Sequence, residues 1–208
     1  MTLKGKIFVF GASGHAKVVI DIIERQNLYE IAFLVDDAPS LKGQWVYGYH
    51  VLGGKEELLS SGIRCGIVAI GSNCARSGVA AWLRSKGFEL VTALHPSAQI
   101  ARGVTVGGGT VIMAGVVINS DTAIGRDVIV NTRASIDHDC MIGNGVHIAP
   151  GTTLCGTVTV GDGSFVCAGV TIIPNLIIGS NVTVGAGSTV IRDVTEGITV
   201  VGSPAKQI

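Results

Sequence analysis

The chain has 208 residues, with 15 basic and 15 acidic side chains, and therefore a formal net charge of zero. A neutral chain without a basic stripe is not expected to bind nucleic acid, and no apolar run is long enough for a membrane span. Charged residues make up only 14% of the chain, which predicts a surface that is partly apolar or covered by another subunit.

The N-terminus and the cysteines both indicate a cytoplasmic protein. Residues 1–6 lead directly into an apolar segment and lack the shape of a signal peptide. The five cysteines are odd in number and form no CxxC pair. We therefore expect free, mostly buried thiols in a reducing compartment.

Strands alternate with helices over the first ninety residues, which predicts a parallel sheet covered by helices. In chain order, the pattern predicts a strand at 6–10, a helix carrying Val18, Val19, Ile22, Ile23 and Leu28, strands at 31–35 and 65–70, a helix at 75–86 and a strand at 88–94. We interpret residues 1–95 as a Rossmann-like α/β domain, and a length of 208 residues leaves room for a second domain.

Three polar loops follow the strands of this sheet and suit a nucleotide. The segment Gly11-Ala-Ser-Gly-His15 follows the first strand, and a glycine turn before a helix directs backbone N–H groups toward an anion. Asp36-Asp37 ends the second strand and Gly71-Ser-Asn ends the third. Ser13 stands where the dinucleotide fingerprint needs glycine, so NAD is not expected. An ordinary tight turn is the alternative, but three polar loops at the carboxyl ends of strands favour a nucleotide site.

Six-residue blocks follow one another without a break from Ile100 to Asp193, and each opens on an aliphatic residue. A repeat of this length predicts a parallel β-helix. Three blocks form one triangular coil, so residues eighteen apart stack and the opening aliphatic side chains point inward. Gly, Asn and Asp at the second to fourth places tolerate the positive φ of tight corners. We assign residues 96–208 to this β-helix and its C-terminal cap.

His138 is the strongest candidate for a catalytic group. It occupies the third place of its block, a corner position, and is predicted to be exposed between Asp137 and Asp139. Flanking carboxylates can orient an imidazole and raise its basicity, as a general base requires. Eighteen residues later, Gly156 leaves space for a slender ligand. The alternative interpretation is a solvated surface histidine. His147 ends its block and faces outward, either toward a ligand or toward another subunit.

The chain resembles the hexapeptide-repeat sugar O- and N-acetyltransferases of bacterial surface-glycan synthesis. This group includes the sialic acid O-acetyltransferase type and the nucleotide-amino-sugar N-acetyltransferase of bacillosamine synthesis. The resemblance implies a left-handed β-helix. It is carried by Gly11-Ala-Ser-Gly-His15, Asp36-Asp37, Ala69-Ile-Gly-Ser-Asn73, His95-Pro-Ser97, Asn131-Thr132, His138-Asp-Cys140, His147, Ile173-Pro-Asn175 and Val201-Gly-Ser-Pro-Ala-Lys206.

The resemblance also implies roles for individual residues. His138 would be the base and Asp139 its acidic partner, a position that is Glu in relatives, with Asn131 close by. Acetyl-CoA would lie between adjacent β-helices of a trimer, and no metal is expected. The implied nucleotide-sugar contacts are Ser13, Gly14, His15, Asp36, Asp37 and Gly71, and the implied acetyl-CoA contacts are His147, Gly156, Ala168 and Ala186.

The implied function is acetyl-CoA-dependent N-acetylation of a nucleotide-linked amino sugar, such as a UDP-4-amino-4,6-dideoxy sugar. Acetylation of a sugar hydroxyl, as on sialic acid, is the second hypothesis. A carbonic anhydrase of the γ type would need three histidine ligands for zinc, and the β-helix has only His138 and His147. A non-catalytic assembly module would leave the acidic neighbours of His138 without a purpose.

Overall fold

The computed structural model describes residues 4–208, and these divide into two compact units, of which the first ends at Pro96 and the second is Ser97–Ile208. The first unit contains a four-stranded parallel sheet with the strand order β2-β1-β5-β6. Its elements are β1 (Gly5–Phe10), α1 (Gly14–Gln26), β2 (Tyr29–Val35), a 3-10 helix (Pro39–Leu41), β3 (Trp45–Val46), β4 (Tyr49–His50), α2 (Lys55–Ser60), β5 (Cys65–Val68), α3 (Asn73–Ser85), β6 (Glu89–Leu90) and β7 (Ala93–Leu94).

Apolar side chains from the sheet and two helices form a core of this unit. Strand β1 is central and pairs in parallel with β2 on one side and β5 on the other. Its four last residues are fully buried, as expected for a strand covered on both faces. The core cluster contains Phe8, Phe10, Val35, Leu58, Val68, Ala80, Leu83, Phe88 and Leu90.

Several predicted details of this unit are wrong. The strand predicted at 88–94 is two short strands, β6 and β7, and α2 and the β3–β4 hairpin were not predicted. Val18 is 40% exposed and Leu28 59% exposed, so neither belongs to the core. Helix α1 instead buries Ala16, Val19, Ile20, Ile22 and Ile23. The period of 3.6 residues turns Val18 away from that apolar stripe.

The second unit is a parallel β-solenoid built from two-residue strands. These strands are β8 (Gln99–Ile100), β9 (Thr105–Val106), β10 (Val111–Ile112), β11 (Val117–Ile118), β12 (Ala123–Ile124), β13 (Ile129–Val130), β14 (Ser135–Ile136), β15 (Met141–Ile142), β16 (His147–Ile148), β17 (Thr153–Leu154), β18 (Thr159–Val160), β19 (Phe165–Val166), β20 (Thr171–Ile172), β21 (Ile177–Ile178), β22 (Thr183–Val184) and β23 (Thr189–Val190). Strands β24 (Thr199–Val201) and β25 (Lys206–Gln207) form an antiparallel pair at the C-terminus.

The strands stack on three faces. The first face includes β10, β13, β16, β19, β22, β24 and β25, the second face β8, β11, β14, β17, β20 and β23, and the third face β9, β12, β15, β18 and β21. The register confirms the predicted eighteen-residue repeat, because Ile118 pairs with Ile136 and Ile124 with Ile142. The opening aliphatic residues are buried from Ile112 onward, whereas Ile100 in the first coil is 39% exposed.

The corners share one backbone conformation, which explains the turn residues of the repeat. In each six-residue block from that of Ile100 to that of Val184, the fourth residue has a positive φ, between 54° and 81°. Glycine, aspartate or asparagine occupies nearly all of these places, because they tolerate the left-handed region best. Arg133 and Thr157 are the exceptions. For the β-branched Thr157, such a φ is strained.

Candidate active site

His138 lies at the corner between the second and third faces, after β14 and before β15. Its side chain is 56% exposed, as predicted for a corner residue. The imidazole packs against the backbone of Gly156 in the next coil. A Cβ atom on Gly156 would lie 2.6 Å from Cε1 and 2.7 Å from Nε2 of His138. The absence of a side chain at Gly156 therefore makes room for the ring itself.

Asp139 holds the imidazole through Nδ1. Its Oδ2 atom is 2.7 Å from His138 Nδ1, so the aspartate side chain is long enough to reach the ring. A carboxylate only accepts hydrogen bonds, so the bonded Nδ1 carries a proton and Nε2 keeps its lone pair. The Nε2 atom lies against Gly156, 2.7 Å from where a Cβ atom of that residue would stand. The positive φ of Asp139, 57°, belongs to the corner conformation that brings the carboxylate to the ring.

The Asp137 carboxylate, on the N-terminal side of His138, also accepts hydrogen bonds at this corner. Its Oδ1 atom accepts hydrogen bonds from the His138 backbone N–H at 2.9 Å and from Asn119 Nδ2 at 2.8 Å. The hydrogen bond to Asp139 and the charge of Asp137 raise the pKa of His138 above its ordinary value of 6.5. The hydrogen bonds from Asn119 and from the His138 backbone lower the pKa of Asp137. The corner therefore stabilises a protonated imidazole between two carboxylates.

The remaining candidate residues of the solenoid lie on another side. His147 is on the first face and Asn131 follows that face, and Asn131 Nδ2 is 3.1 Å from His147 Nε2. The His147 ring packs on Phe165 with 5.0 Å between centroids. Ala168 and Ala186 stack in the corner between the first and second faces. A corner between the second and third faces is opposite the first face of a triangle. Within one subunit, His138 is therefore separated from His147.

In the first unit, Asp36 organises the loops at the carboxyl edge of the sheet. Its Oδ2 atom accepts a hydrogen bond from Ala12 N–H and its Oδ1 atom from Ala38 N–H, both at 2.9 Å. Asp37 is 48% exposed and pairs with Lys55 Nζ at 3.0 Å. A cavity of about 500 Å³ borders both carboxylates. Its lining also includes Ala38, Pro39, Lys42, Gly54, Lys55, Glu56 and Glu57.

The glycine loop has the open geometry expected of an anion site. Ser13 is the N-cap of α1 and makes no capping hydrogen bond with its side chain, and Gly14 is exposed at the first helical position. Backbone N–H groups at such a helix start attract negative charge. Gly71 is half-buried in the loop before α3, where Ser72 accepts a hydrogen bond from Ala75 N–H.

Arg76 is a buried residue that the sequence analysis missed. It is 0% exposed, and its Nη1 atom donates to the carbonyl groups of Ile70 and Gly71 at 3.2 and 3.1 Å. Burial, and secondarily the charge of Arg76, lower the pKa of His15 to about 4. His15 Nε2 is buried and has no hydrogen-bond partner within residues 4–208. The guanidinium thus fixes the loop of Gly71, and burial together with its charge keeps the His15 imidazole neutral.

Two known protein families match the chain. The family described as the PglD N-terminal domain matches residues 6–83, and the bacterial transferase hexapeptide family, with six repeats, matches residues 121–156 and 157–192. The crystal structure of PerB from Caulobacter crescentus, in complex with CoA and GDP-perosamine, is 38% identical. The superposition covers 100% of this chain and 98% of PerB, with a TM-score of 0.92. The chain belongs to the hexapeptide-repeat sugar acetyltransferases.

Two further proteins are similar to this chain in sequence. The acetyltransferase domain of PglB from Neisseria gonorrhoeae FA1090, in complex with acetyl coenzyme A, is 34% identical, with a TM-score of 0.90. That match covers 99% of this chain and 100% of the domain. The UDP-N-acetylbacillosamine N-acetyltransferase of Bacillus subtilis is 35% identical over 111 residues. The chain spans about half the length of that protein, because the alignment covers 51% of it and 52% of this chain.

These findings confirm the family and the fold class predicted from the sequence, an α/β domain followed by a hexapeptide β-helix. The α/β unit and the solenoid correspond to the two families that match. Among residues 4–208, no cluster of three His, Cys, Asp or Glu side chains is arranged to hold a metal ion. No helix in that range has the length and apolar character needed to cross a membrane.

Proposed function

We propose that this sugar acetyltransferase transfers the acetyl group of acetyl-CoA to the amino group of a nucleotide-linked amino sugar. The observation that carries the proposal is the His138–Asp139 pair packed against Gly156, with Nε2 free to accept a proton. PerB, which matches nearly the whole chain, binds CoA and GDP-perosamine in its crystal structure. The Bacillus subtilis relative is named for acetylation of an amino sugar linked to UDP.

The mechanism requires no covalent intermediate on the enzyme. The sugar nitrogen attacks the thioester carbonyl while His138 Nε2 takes a proton from the nitrogen, and Asp139 stabilises the imidazolium that forms. The C–S bond then breaks, and CoA leaves as a thiol after taking that proton. Binding donor and acceptor side by side supplies much of the acceleration. We assign the Gly156 backbone N–H as a donor to the oxyanion.

We further propose that the enzyme is a homotrimer. His138 and His147 lie on opposite sides of one solenoid, so only a neighbouring subunit can bring such residues to one acetyl-CoA molecule. Met141 and Ile177 on the third face are 61% and 57% exposed, which suits a face that a partner covers. Three such subunits can cover one another's exposed faces in a ring with closed rotational symmetry. In this arrangement Gly156 comes from one subunit, and His147, Ala168 and Ala186 from the next. A stable monomer in light scattering at micromolar concentration would contradict it.

The first unit is assigned to the nucleotide sugar. The contacts that we propose are Ser13, Gly14, His15, Asp36, Asp37 and Gly71. They belong to loops at the carboxyl edge of the parallel sheet or to the first turn of α1 that follows one of them, where such sheets bind ligands. Asn131 is proposed to contact the sugar. We assign the reaction to the cytoplasm, because free thiols and dissolved acetyl-CoA suit a reducing compartment.

The decisive experiment measures CoA thiol release from acetyl-CoA with three acceptors. These are a UDP-4-amino-4,6-dideoxy sugar, GDP-perosamine and sialic acid, in which hydroxyl groups and no free amine can accept an acetyl group. We expect release with a nucleotide-linked amine and none with sialic acid. Release with sialic acid alone would replace the proposal by O-acetylation, and no release with any acceptor of either class would reject catalysis.

Two histidine variants then test the assigned roles. His138→Ala is expected to lower kcat roughly 100-fold or more and to leave both Michaelis constants within a few-fold, because the base acts in the transition state. His147→Ala is the matched control and is expected to raise mainly the Michaelis constant for acetyl-CoA. Near-full turnover of His138→Ala with the true acceptor would identify His138 as a solvated corner residue.

A further inference from the structure

Two buried polar side chains lie directly beneath the corner of His138. Residues at the fifth place of each block point into the solenoid and stack at its corners. At the corner between the second and third faces these residues are apolar except for Thr122 and Cys140, which are 0% and 1% exposed; the full column is Val104, Thr122, Cys140, Val158, Leu176 and Val194. The two polar residues therefore lie in the coil before that of His138 and in the coil of His138 itself.

One hydroxyl group holds both ends of the His138 corner. Thr122 Oγ1 donates a hydrogen bond to the Asp137 carbonyl at 2.7 Å. The same oxygen accepts a hydrogen bond from the Cys140 backbone N–H at 3.1 Å. His138 and Asp139 are the two residues between these anchors. Since buried backbone groups need a partner, losing the hydroxyl would release both ends of the segment.

Cys140 repeats this contact one coil further on. Its Sγ atom donates to the Cys155 carbonyl at 3.3 Å. That carbonyl belongs to the peptide group whose nitrogen is Gly156, the residue on which the His138 ring packs. Burial raises the pKa of the Cys140 thiol, so the sulfur stays protonated and remains a donor. The orientation of the Gly156 N–H thus depends on a buried side chain.

We propose that Thr122 and Cys140 are positioning residues: the Thr122 hydroxyl fixes the corner of His138 and Asp139, and the Cys140 thiol fixes the Cys155–Gly156 peptide on which the His138 ring packs. The proposal rests on the proposed function, because it assigns catalytic value to the geometry of His138. Positioning matters at this scale, since a small displacement of a catalytic group costs a large part of the rate.

Thr110 provides a matched control within the same solenoid. It is also a fifth-place threonine with 0% exposure. Its Oγ1 atom donates to the Gly125 carbonyl at 2.8 Å and accepts from Val128 N–H at 3.1 Å. It thus makes the same pair of bonds at the corner between the third and first faces, which carries none of the proposed site residues. Thr110→Val and Thr122→Val remove equivalent bonds and should lower stability to a similar extent.

Steady-state kinetics of the whole enzyme test the first half of the proposal. We expect Thr122→Val to lower kcat about 10-fold or more, with both Michaelis constants within about threefold of the wild type. Thr122→Ser, which keeps the hydroxyl, should restore most of kcat, and Thr110→Val should keep it. Unchanged kcat in Thr122→Val, or an equal loss in Thr110→Val, would overturn the assignment of Thr122.

Hydrogen exchange gives a measure that needs no turnover. The backbone N–H groups of His138, Asp139 and Cys140 are all bonded in this corner, to Asp137 Oδ1, the Ser120 carbonyl and Thr122 Oγ1. Thr122→Val should speed their exchange about 10-fold, whereas Thr110→Val should speed exchange near Val128 only. Unchanged exchange at 138–140 would overturn the positioning role. A wild type that acetylates no acceptor would reject the proposed function but leave this test valid.

Cys140→Ala tests the second half of the proposal, the role of the Cys140 thiol. It also keeps the proposal testable if the Thr122→Val variant does not fold. It removes one donor and preserves the backbone, so we expect a several-fold lower kcat, with faster exchange of the Thr157 amide, which donates to the His138 carbonyl. Cys140→Ser, which restores a donor, should recover kcat. Wild-type kcat and exchange in Cys140→Ala would show that the thiol is only core packing and would overturn its assignment.

Discussion

The imidazole of His138 packs on the backbone of Gly156 without room for even a methyl group between them. A Cβ atom built on Gly156 would approach His138 Cε1 to 2.6 Å and Nε2 to 2.7 Å. Two residues in successive coils therefore define the proposed reaction centre together, one as the base and the other as the surface that sets the position of the base. This contact leads directly to a test of the geometry.

Gly156→Ala should separate the activity of the enzyme from its stability. The clashing neighbour is the end of a mobile side chain, so the ring should move and the fold should remain intact. We expect kcat to fall roughly 100-fold, as misplacement by about 1 Å can cause, with an unchanged melting temperature. Gly78→Ala is the control, because a Cβ atom there meets nothing within 4 Å. Wild-type turnover in Gly156→Ala would contradict the assigned position of the base.

The pH dependence of kcat/KM should report the carboxylates beside His138. A base must be neutral, and the hydrogen bond that His138 donates to Asp139 raises the pKa of His138. The rate should therefore fall as the pH drops through a value above 6.5, the ordinary pKa of histidine. Asp139→Asn should move this acid limb down toward 6.5 and lower kcat, because the hydrogen bond that orients the ring loses its charge. High salt should also weaken the shift, since the groups are exposed.

Asparagine is well suited to this test because it tolerates the left-handed backbone of residue 139. The acid limb is taken from the pH profile of kcat/KM, which reports on the free enzyme, measured at low salt with the preferred acceptor. A limb at the same pH in Asp139→Asn and wild type would show that another group controls the rate.

Asp36 and Asp37 are expected to act differently although they are neighbours. Asp36→Ala removes the acceptor of two backbone N–H groups, from Ala12 and Ala38, and should lower the free energy of unfolding by about 1–3 kcal/mol. Asp37→Ala loses only exposed contacts with Lys55, which contribute little to stability, but should weaken nucleotide-sugar binding. Calorimetry and urea denaturation distinguish the two. Equal stability of the variants, or weakened acetyl-CoA binding in Asp37→Ala, would refute this division.

His15 should make the first unit sensitive to acid. Its folded-state pKa is about 4, below the ordinary 6.5, so the unfolded chain takes up the proton first. Stability from the neutral ring is complete above pH 6.5 and is lost as the pH falls toward 4, by about 3 kcal/mol in total. His15→Gln should remove most of this decline in urea denaturation, whereas His50→Gln should retain it. An equally steep decline in both variants would contradict the role of His15.

The sequence by itself determined the solenoid and most of its corner chemistry. A six-residue period requires three strands per coil, so the pairing of Ile118 with Ile136 and the position of Gly156 above His138 follow by counting. The parallel sheet of the first unit was predicted from a pattern as well, because strands alternate with helices over the first ninety residues. Such patterns are local, and local periodicity is what a sequence expresses directly.

The tertiary structure alone decided the contacts between residues distant in sequence. No pattern revealed that Arg76 is buried, that Asp36 binds the backbone of Ala12, or that Thr122 holds both ends of the His138 corner. The short helix α2 and the β3–β4 hairpin also lack a period long enough to recognise. Burial of a polar group is offset by specific partners, and these partners depend on three-dimensional packing, which the order of residue types does not encode locally.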